Sequence, residues 1–198
     1  MIKRLTRKPL LQALFITILG ISLSGLSVAD ELSPKALLED TTREMIDAIN
    51  QHQAEIKRDP SRVNSLVENI LLPRIDIITA SRWVLGKHWR RANKQQKLQF
   101  IREFRTLLLR FYSSALAEYL QDNSVDQNLI TFLPLRDGES NKDDVTVHSQ
   151  VHGKGGKTIP VKYSMHRTKK GWKVYDVSVE GISVITTYRT SFATEIKQ

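Results

Sequence analysis

The sequence predicts an α+β fold, with N-terminal helices packed on a curved antiparallel sheet of about four strands and a helix at the C-terminus. From Ser33 to about Tyr119, apolar residues recur every three or four positions, which is typical of amphipathic helices. After Asn123 the period changes to two, the period of strands with one buried face. Because helices precede strands without βαβ alternation, we expect the helices to cover one face of the sheet.

A capping residue followed by proline marks the predicted start of each of the first two helices. Ser33 precedes Pro34 and an apolar stripe, which predicts a first helix over about 34–56. Asp59-Pro60 repeats this signal and predicts a shorter second helix, which we expect to stop at Pro73 because proline lacks the N–H that a helix interior needs.

Two further helices have cap signals of their own. We expect Asp76 to cap a short helix over 77–85, which Gly86 closes. Asn93 and Gln96 have the spacing of a capping box, and they precede the longest predicted helix, from Lys94 to about Leu120.

The second half of the chain alternates in four segments separated by turn residues. The predicted strands are Leu129–Leu135, Val145–Val151, Ile159–Met165 and Trp172–Val179. The predicted turns contain Asp137-Gly138, the glycines of 153–156 and Gly171. Beyond Gly181, apolar residues return to helical spacing from Ile182 to Ile196, which predicts a final helix.

The first 29 residues have the layout of a signal peptide. Four basic residues precede a largely apolar stretch, Leu10–Leu26. In the following Ser27-Val28-Ala29, small residues lie at the positions that a signal peptidase recognises. We therefore expect residues 1–29 to be a signal peptide and residues 30–198 to form a single domain in the periplasm. An uncleaved membrane anchor is the alternative.

Composition excludes several classes of site. The chain contains no cysteine, so it has no disulfide framework, thiolate zinc site, cysteine nucleophile or iron–sulfur cluster. Its formal net charge of +9 includes four basic residues of the predicted signal peptide and falls to about +5 without them. This modest, scattered charge in an exported protein argues against a nucleic-acid partner.

No sequence motif specifies a catalytic or metal site. His148 and His152 fall on one strand face, but residues four apart on a strand are separated by about 13 Å, too far to bind one metal ion. Asp76 is best explained as a helix cap, and Asp176 in the last strand needs a partner if it is buried. A small periplasmic enzyme remains an alternative if either carboxylate faces a cavity with a raised pKa.

Basic and aromatic residues are interleaved between Arg82 and Arg91. Trp83 and Trp89 lie among arginines and lysines, a combination that suits an interface with phosphate-bearing lipid or with an acidic protein. A solvated basic face with both tryptophans in the core is the alternative. A ligand-free periplasmic adaptor acting through this face would have a solid core without a cavity.

Three motifs resemble one known family, the soluble periplasmic phospholipid carriers of the Mla lipid-transport system, also described as toluene- or organic-solvent-tolerance proteins. The motifs are Leu71–Asp76 with Val84–Trp89, then Phe100–Tyr112, and finally Trp172–Ser183 with Thr187–Phe192. They occur in the family order, and the resemblance extends from about Leu37 to Phe192. The chain ends at Gln198 without the glycine-containing, leucine-rich segment that usually follows, so the pocket would be more open if that segment covers it.

The resemblance implies that helices and sheet enclose an apolar pocket for phospholipid acyl chains, with the head group near its mouth. It also implies a carrier that shuttles lipid between an outer-membrane lipoprotein complex and an inner-membrane ATP-driven complex, maintaining outer-membrane lipid asymmetry. No reaction and no cofactor are implied, since the phospholipid is cargo. Burial of the acyl chains is required because each exposed methylene costs about 0.8 kcal/mol.

Facing and bulk select the candidate residues of this pocket. The predicted wall residues are Trp83, Leu85, Phe104, Leu108, Phe111, Tyr112, Val147, Val161, Tyr163, Met165 and Tyr188. The predicted head-group or partner contacts are Arg82, Lys87 and Arg90.

Overall fold

The computed structural model describes residues 32–135, 138 and 142–195. The predicted signal peptide, Asp137 of the predicted turn, and Ile196 with the rest of the C-terminus lie outside the described residues. Among the helices, α1 is Pro34–Gln51 and α2 is Gln53–Arg58. The Ser33 side chain accepts a hydrogen bond from the Ala36 N–H at 3.2 Å, as the cap prediction requires.

The single helix predicted over 34–56 is divided at His52. His52 has φ −103° and ψ 13°, outside the helical region, and its carbonyl accepts the N–H groups of Glu55 and Ile56 to begin α2. This bend allows Ile56, 1% exposed, to join a core cluster that includes Val63 and Leu120. The stripe continued across the break, so periodicity alone could not reveal it.

The second helical region ends where it was predicted to end, but it contains three types of helical turn. It comprises α3, Arg62–Leu66, a π-helical turn, Val67–Leu71, and a 3₁₀ turn, Leu72–Arg74, that includes Pro73. The α- and π-helical turns end at Leu71, and the backbone is extended at Ile75, so the helical region stops within one residue of Pro73, as predicted.

The cap predictions for the next helices are confirmed. Helix α4 is Ile77–Leu85, and Gly86 follows it with φ +51°, a conformation that favours glycine. Helix α5, Lys87–Arg91, is too short and polar to show a period, and it was not predicted. Helix α6 is Lys94–Asp122, and both bonds of the Asn93–Gln96 capping box are present at 2.9 Å.

The sheet has five antiparallel strands in sequential order, one more than the approximately four predicted. The strands are β1, Ile130–Phe132; β2, Asp144–His152; β3, Thr158–Thr168; β4, Gly171–Val179; and β5, Ile182–Ser183. Strand β5 has two residues, too few for alternation to be visible in the sequence. Helix α7, Val184–Glu195, follows it directly.

Three apolar clusters hold the helices to one another and to the sheet. The first joins α1, α2, α3 and the C-terminal part of α6 around Ile56 and Val63. In the second, Leu37 and Leu38 of α1 cover β2, β3 and β4. The third joins α4, α6 and α7 around Phe104 and Ile185. No helix in the described part of the chain is long and apolar enough to span a bilayer.

Candidate functional site

An apolar cavity of about 300 Å³ lies between α6 and β4, and the Leu71–Ile75 segment and the start of α7 complete its wall. Tyr112 and Val179 are both 42% exposed, so they mark a side of the cavity that reaches solvent. The lining residues are Val67, Leu71, Leu72, Ile75, Ala80, Phe104, Leu108, Leu109, Tyr112, Val174, Tyr175, Asp176, Val177, Val179, Val184 and Ile185.

Helix α6 supplies one wall through its periodicity. Phe104, Leu108 and Tyr112 are four residues apart, so they lie one above another along the same side of the helix. Phe104 is 2% exposed, whereas Tyr112 reaches solvent, so the wall runs from the core to the surface.

A β-bulge in β4 supplies the opposite wall. Ser164 pairs with Asp176 while Met165 pairs with Val174, which leaves Tyr175 as an extra residue in β4. In a regular strand, successive side chains would point to opposite faces. The bulge instead lets every residue from Val174 to Val177 contribute to the cavity wall.

The Leu71–Ile75 segment closes the side of the cavity next to β4. Ile75 forms a parallel bridge with Val174, and the Asp76 N–H donates a hydrogen bond to the Val174 carbonyl at 2.8 Å. These contacts hold Leu71, Leu72 and Ile75 against the strand, so their side chains line the cavity.

The ionisable groups of the wall are tied to the fold or kept neutral. The Asp176 carboxylate accepts hydrogen bonds from the Ser183 hydroxyl at 2.6 Å and from the Ile185 N–H at 3.1 Å, so it caps the start of α7. Burial, together with nearby Tyr188 and Asp176, raises the pKa of Tyr112. Burial also raises the pKa of Tyr175. Both phenols are therefore neutral at pH 7, which suits an apolar ligand.

Of the eleven predicted wall residues, the structure brings Phe104, Leu108 and Tyr112 together on this cavity. Val147, Tyr163 and Met165 lie in the cluster beneath Leu37 and Leu38 of α1. Tyr163 is directly opposite Val177, which does line the cavity. These three residues therefore contribute to the sheet face that α1 covers, next to the cavity wall.

The other five predicted wall residues lie outside the cavity lining. Tyr188 packs behind Phe104, with ring centroids 5.4 Å apart, and Val161 pairs with the lining residue Val179. Leu85 is buried beside α7, whereas Trp83 is 52% and Phe111 59% exposed. Phe111 lies about two turns beyond Phe104 on nearly the same side of α6, but its ring contacts Tyr112 and stays exposed. For these residues, contact with lipid stays a prediction.

Sequence reasoning missed the contributions of β4 and of the Leu71–Ile75 segment. Both occur in the motifs already quoted, so the motifs marked the right stretches of chain. The strand residues were selected by alternation on β2 and β3, a pattern that contains no information about the bulge at Tyr175.

The predicted head-group or partner residues are on the surface, away from the cavity lining. Arg82 and Arg90 are exposed, and the Arg82 guanidinium lies 5.9 Å from the ring centroid of Trp89. Lys87 lies on a separate groove with Leu85 and Arg189. Their contact with lipid or partner likewise stays a prediction.

Asp76 joins the start of α4 to β3. Its carboxylate accepts hydrogen bonds from the N–H and the hydroxyl of Thr79, at 2.9 and 2.8 Å, and lies 2.9 Å from the His166 ring. Burial acts to raise the pKa of Asp76, but the bonds from Thr79 and His166 outweigh it and hold this pKa below its ordinary value of 3.8. Asp76 is also absent from the cavity lining of the described residues, so it does not meet the requirements of the enzyme hypothesis.

Substituting Asp76→Asn is expected to lower the free energy of unfolding at pH 7 by about 1 kcal/mol, because asparagine still caps α4 but carries no charge toward His166. The lowered pKa means that the carboxylate stabilises the fold above about pH 4, and that this contribution is lost as pH falls through the folded-state pKa. The difference between wild type and variant should therefore shrink on acidification.

Urea unfolding of both proteins at neutral and acidic pH measures this difference. The exposed Asp122→Asn variant is the control for loss of one carboxylate, and it should change stability little. A difference for Asp76→Asn that does not depend on pH would contradict the role given to its charge.

The described residues contain no group of three or more histidine, aspartate or glutamate side chains arranged to hold a metal ion. The apolar cavity is thus the feature of the described structure best suited to a ligand.

Comparison with a solved structure defines the class of protein. A phospholipid-binding protein from Ralstonia solanacearum, solved in complex with a phospholipid, matches with a TM-score of 0.72 and 26% identity, covering 84% of this chain and 88% of that chain. The α+β fold described here is therefore the fold of a phospholipid-binding protein.

The MlaC protein family matches residues 39–198, and the chain belongs to this family. It is 27% identical over 162 residues to the toluene tolerance protein Ttg2D of Pseudomonas putida, covering 81% of this chain and 72% of that protein. It is 26% identical over 156 residues to the intermembrane phospholipid transport system binding protein MlaC of Haemophilus influenzae, covering 78% of this chain and 71% of that protein. The family resemblance found in the motifs is confirmed.

Proposed function

We propose that this protein is a periplasmic phospholipid carrier that holds acyl chains in the cavity between α6 and β4. The observation that carries the proposal is the apolar wall, which combines aliphatic and aromatic side chains with one hydrogen-bonded carboxylate and two neutral phenols. A volume of about 300 Å³ is within the range of ligand pockets. Acyl chains favour such a wall because each methylene removed from water gains about 0.8 kcal/mol.

The carrier would have no catalytic step. Asp76 has a lowered pKa, and both oxygens of Asp176 accept hydrogen bonds that cap α7. The enzyme alternative needs a carboxylate that is free to act as a base in the cavity, whereas Asp76 is not among the described lining residues and Asp176 is engaged by these two bonds. The hypothesis of a ligand-free adaptor predicts a solid core, so the observed cavity argues against that hypothesis.

Family membership supports the wider role. Residues 1–29 would direct export, and residues 30–198 would form the single phospholipid-binding domain. In the periplasm the carrier would exchange lipid with an outer-membrane lipoprotein complex and an inner-membrane ATP-driven complex, and so maintain outer-membrane lipid asymmetry. Phospholipid would be its cargo, with no cofactor.

Filling the cavity should prevent lipid from binding. Leu108→Trp adds an indole on the cavity side of α6, whereas Leu107→Trp adds the same group at a neighbouring position that is 40% exposed and outside the lining. We expect protein purified from its native envelope fraction to carry near-stoichiometric phospholipid, Leu107→Trp to retain it, and Leu108→Trp to lose at least about tenfold.

Denaturing extraction followed by mass spectrometry measures the bound lipid, and far-UV circular dichroism establishes that both variants are folded. Wild-type protein without lipid, or equal lipid in the two folded tryptophan variants, would contradict the assignment of this cavity to acyl chains.

A further inference from the structure

One segment of the chain contains cations without any carboxylate. Residues 77–102, which form α4, α5 and the start of α6, include seven arginines or lysines and no aspartate or glutamate. This charge of +7 exceeds the +5 expected for the whole domain without its signal peptide. The aspartates and glutamates of the domain therefore lie in other parts of the chain, and this segment carries positive charge alone.

These cations are not neutralised by the fold. None of the seven forms an ion pair with a carboxylate within the described residues, although other surface cations such as Arg62 and Arg105 do. All are exposed except Lys97, which is partly buried. Because no carboxylate in the described residues neutralises them, their positive charge is available to an external anion.

Ring contacts link four helices, α4, α5, α6 and α7, along one surface. Arg82 of α4 and Lys97 of α6 lie 5.9 and 5.5 Å from the ring centroid of Trp89, which belongs to α5. Arg189 of α7 lies 5.8 Å from the centroid of Trp83 and donates a hydrogen bond to its carbonyl at 2.7 Å. We call the face formed by exposed Arg82, Trp83 and Lys87 and partly buried Trp89, Lys97 and Arg189 the basic surface.

The basic surface also presents apolar groups to solvent. Trp83 is 52% exposed, and Ile78, one helical turn before Arg82, is 54% exposed. Half-exposed tryptophan next to arginine and lysine is typical of protein segments at the boundary between lipid and water, where the indole enters the head-group region and the cations meet lipid phosphates.

We propose that the basic surface docks the protein on anionic phospholipid bilayers. A bilayer containing anionic lipid is uniformly negative, which matches a surface built largely from a segment without carboxylates better than a protein surface of mixed sign does. The inference rests on the proposed carrier function, since it names the surface from which cargo would be loaded or to which it would be delivered. It concerns residues outside the cavity, so the two proposals can fail separately.

Vesicle co-sedimentation tests the docking. We expect wild-type protein to bind phosphatidylcholine vesicles that contain about one-third phosphatidylglycerol at about 50 mM NaCl, and to be released at about 0.5 M NaCl as charges are screened. It should bind pure phosphatidylcholine vesicles at least about tenfold more weakly.

Two matched double variants locate the contact. R82Q/K87Q removes one arginine and one lysine from the basic surface, and K57Q/R58Q removes the same charges from the exposed end of α2, which packs near the opposite end of α6. The first should weaken binding to anionic vesicles about ten- to thirty-fold, and the second less than about threefold. Trp83→Ala should also weaken binding, because it removes the indole that would enter the head-group region. The bond from Arg189 to the carbonyl of residue 83 is retained, so the contact between α4 and α7 is kept.

Failure of wild type to bind anionic vesicles at low salt, or equal loss in the two double variants, would overturn the docking proposal. The first of these outcomes would favour an acidic protein as the occupant. Lipid extraction from the same preparations reports on the carrier function separately, because cargo can be present whether or not vesicles are bound.

Discussion

Phe104→Ala is expected to lower the free energy of unfolding by about 3–5 kcal/mol. Phe104 is 2% exposed and contacts three other rings, with centroids 5.6 Å from Phe100, 5.4 Å from Tyr188 and 6.3 Å from Phe192. These contacts join α6 to α7, and Ala80 and Val84 of α4 belong to the same cluster. Truncation would leave a void where three helices meet, because the neighbouring rings can move only partly into the space.

Phe111→Ala is the matched control for this prediction. It removes the same side chain from the same helix, but Phe111 is 59% exposed and its ring contact is with Tyr112. We expect a loss below about 1 kcal/mol. Urea unfolding of the two variants under identical conditions gives both values, and losses of equal size would refute the packing role assigned to Phe104.

Local chemistry made the starts of α1, α4 and α6 predictable. The caps at Ser33, Asp76 and Asn93 need only residues within three positions along the chain, so the same sequence signals that predict them are sufficient to form them. The bend at His52 is different, because it depends on packing that the hydrophobic period does not encode.

The cavity wall divides along the same line. Facing and bulk selected Phe104, Leu108, Phe111 and Tyr112 on α6, and all of these except Phe111 line the cavity. On the sheet, alternation identified the buried face but not which part of that face α1 would cover. Val147 and Met165 are buried in one cluster with Leu37 and Leu38, whereas the sheet residues that line the cavity belong to β4.

The bulge at Tyr175 connects the fold to the proposed function. A regular β4 would turn Tyr175 or Asp176 away from the cavity, whereas the extra residue brings both to its wall. A carboxylate is unfavourable beside acyl chains unless its oxygens are satisfied. The hydrogen bonds that the carboxylate accepts from the Ser183 hydroxyl and the Ile185 N–H meet this requirement. The same bonds fix α7 to the end of the sheet.

Asp176→Ala is accordingly expected to lower the free energy of unfolding by about 2–3 kcal/mol. The substitution removes the cap of α7 and leaves the partly buried Ser183 hydroxyl and Ile185 N–H without their acceptor. Ser183→Ala removes one of these bonds and also the bond that the Ser183 hydroxyl accepts from the Thr186 N–H at 3.1 Å, but it leaves Asp176 bonded to the Ile185 N–H, so its cost should be about 1–2 kcal/mol. Asp144→Ala is the control for loss of an exposed carboxylate on the sheet, with an expected change within about 0.5 kcal/mol.

Chemical denaturation of the three variants measures this order, and lipid extraction shows whether the cavity still holds cargo. Asp176→Asn separates the two roles of the side chain, since asparagine retains an oxygen acceptor for the cap but has no charge. If Asp176 serves the fold alone, Asp176→Asn should keep both most of the stability and its phospholipid. An Asp176→Ala variant as stable as wild type would contradict the capping role, because the two hydrogen bonds would then contribute nothing to holding α7.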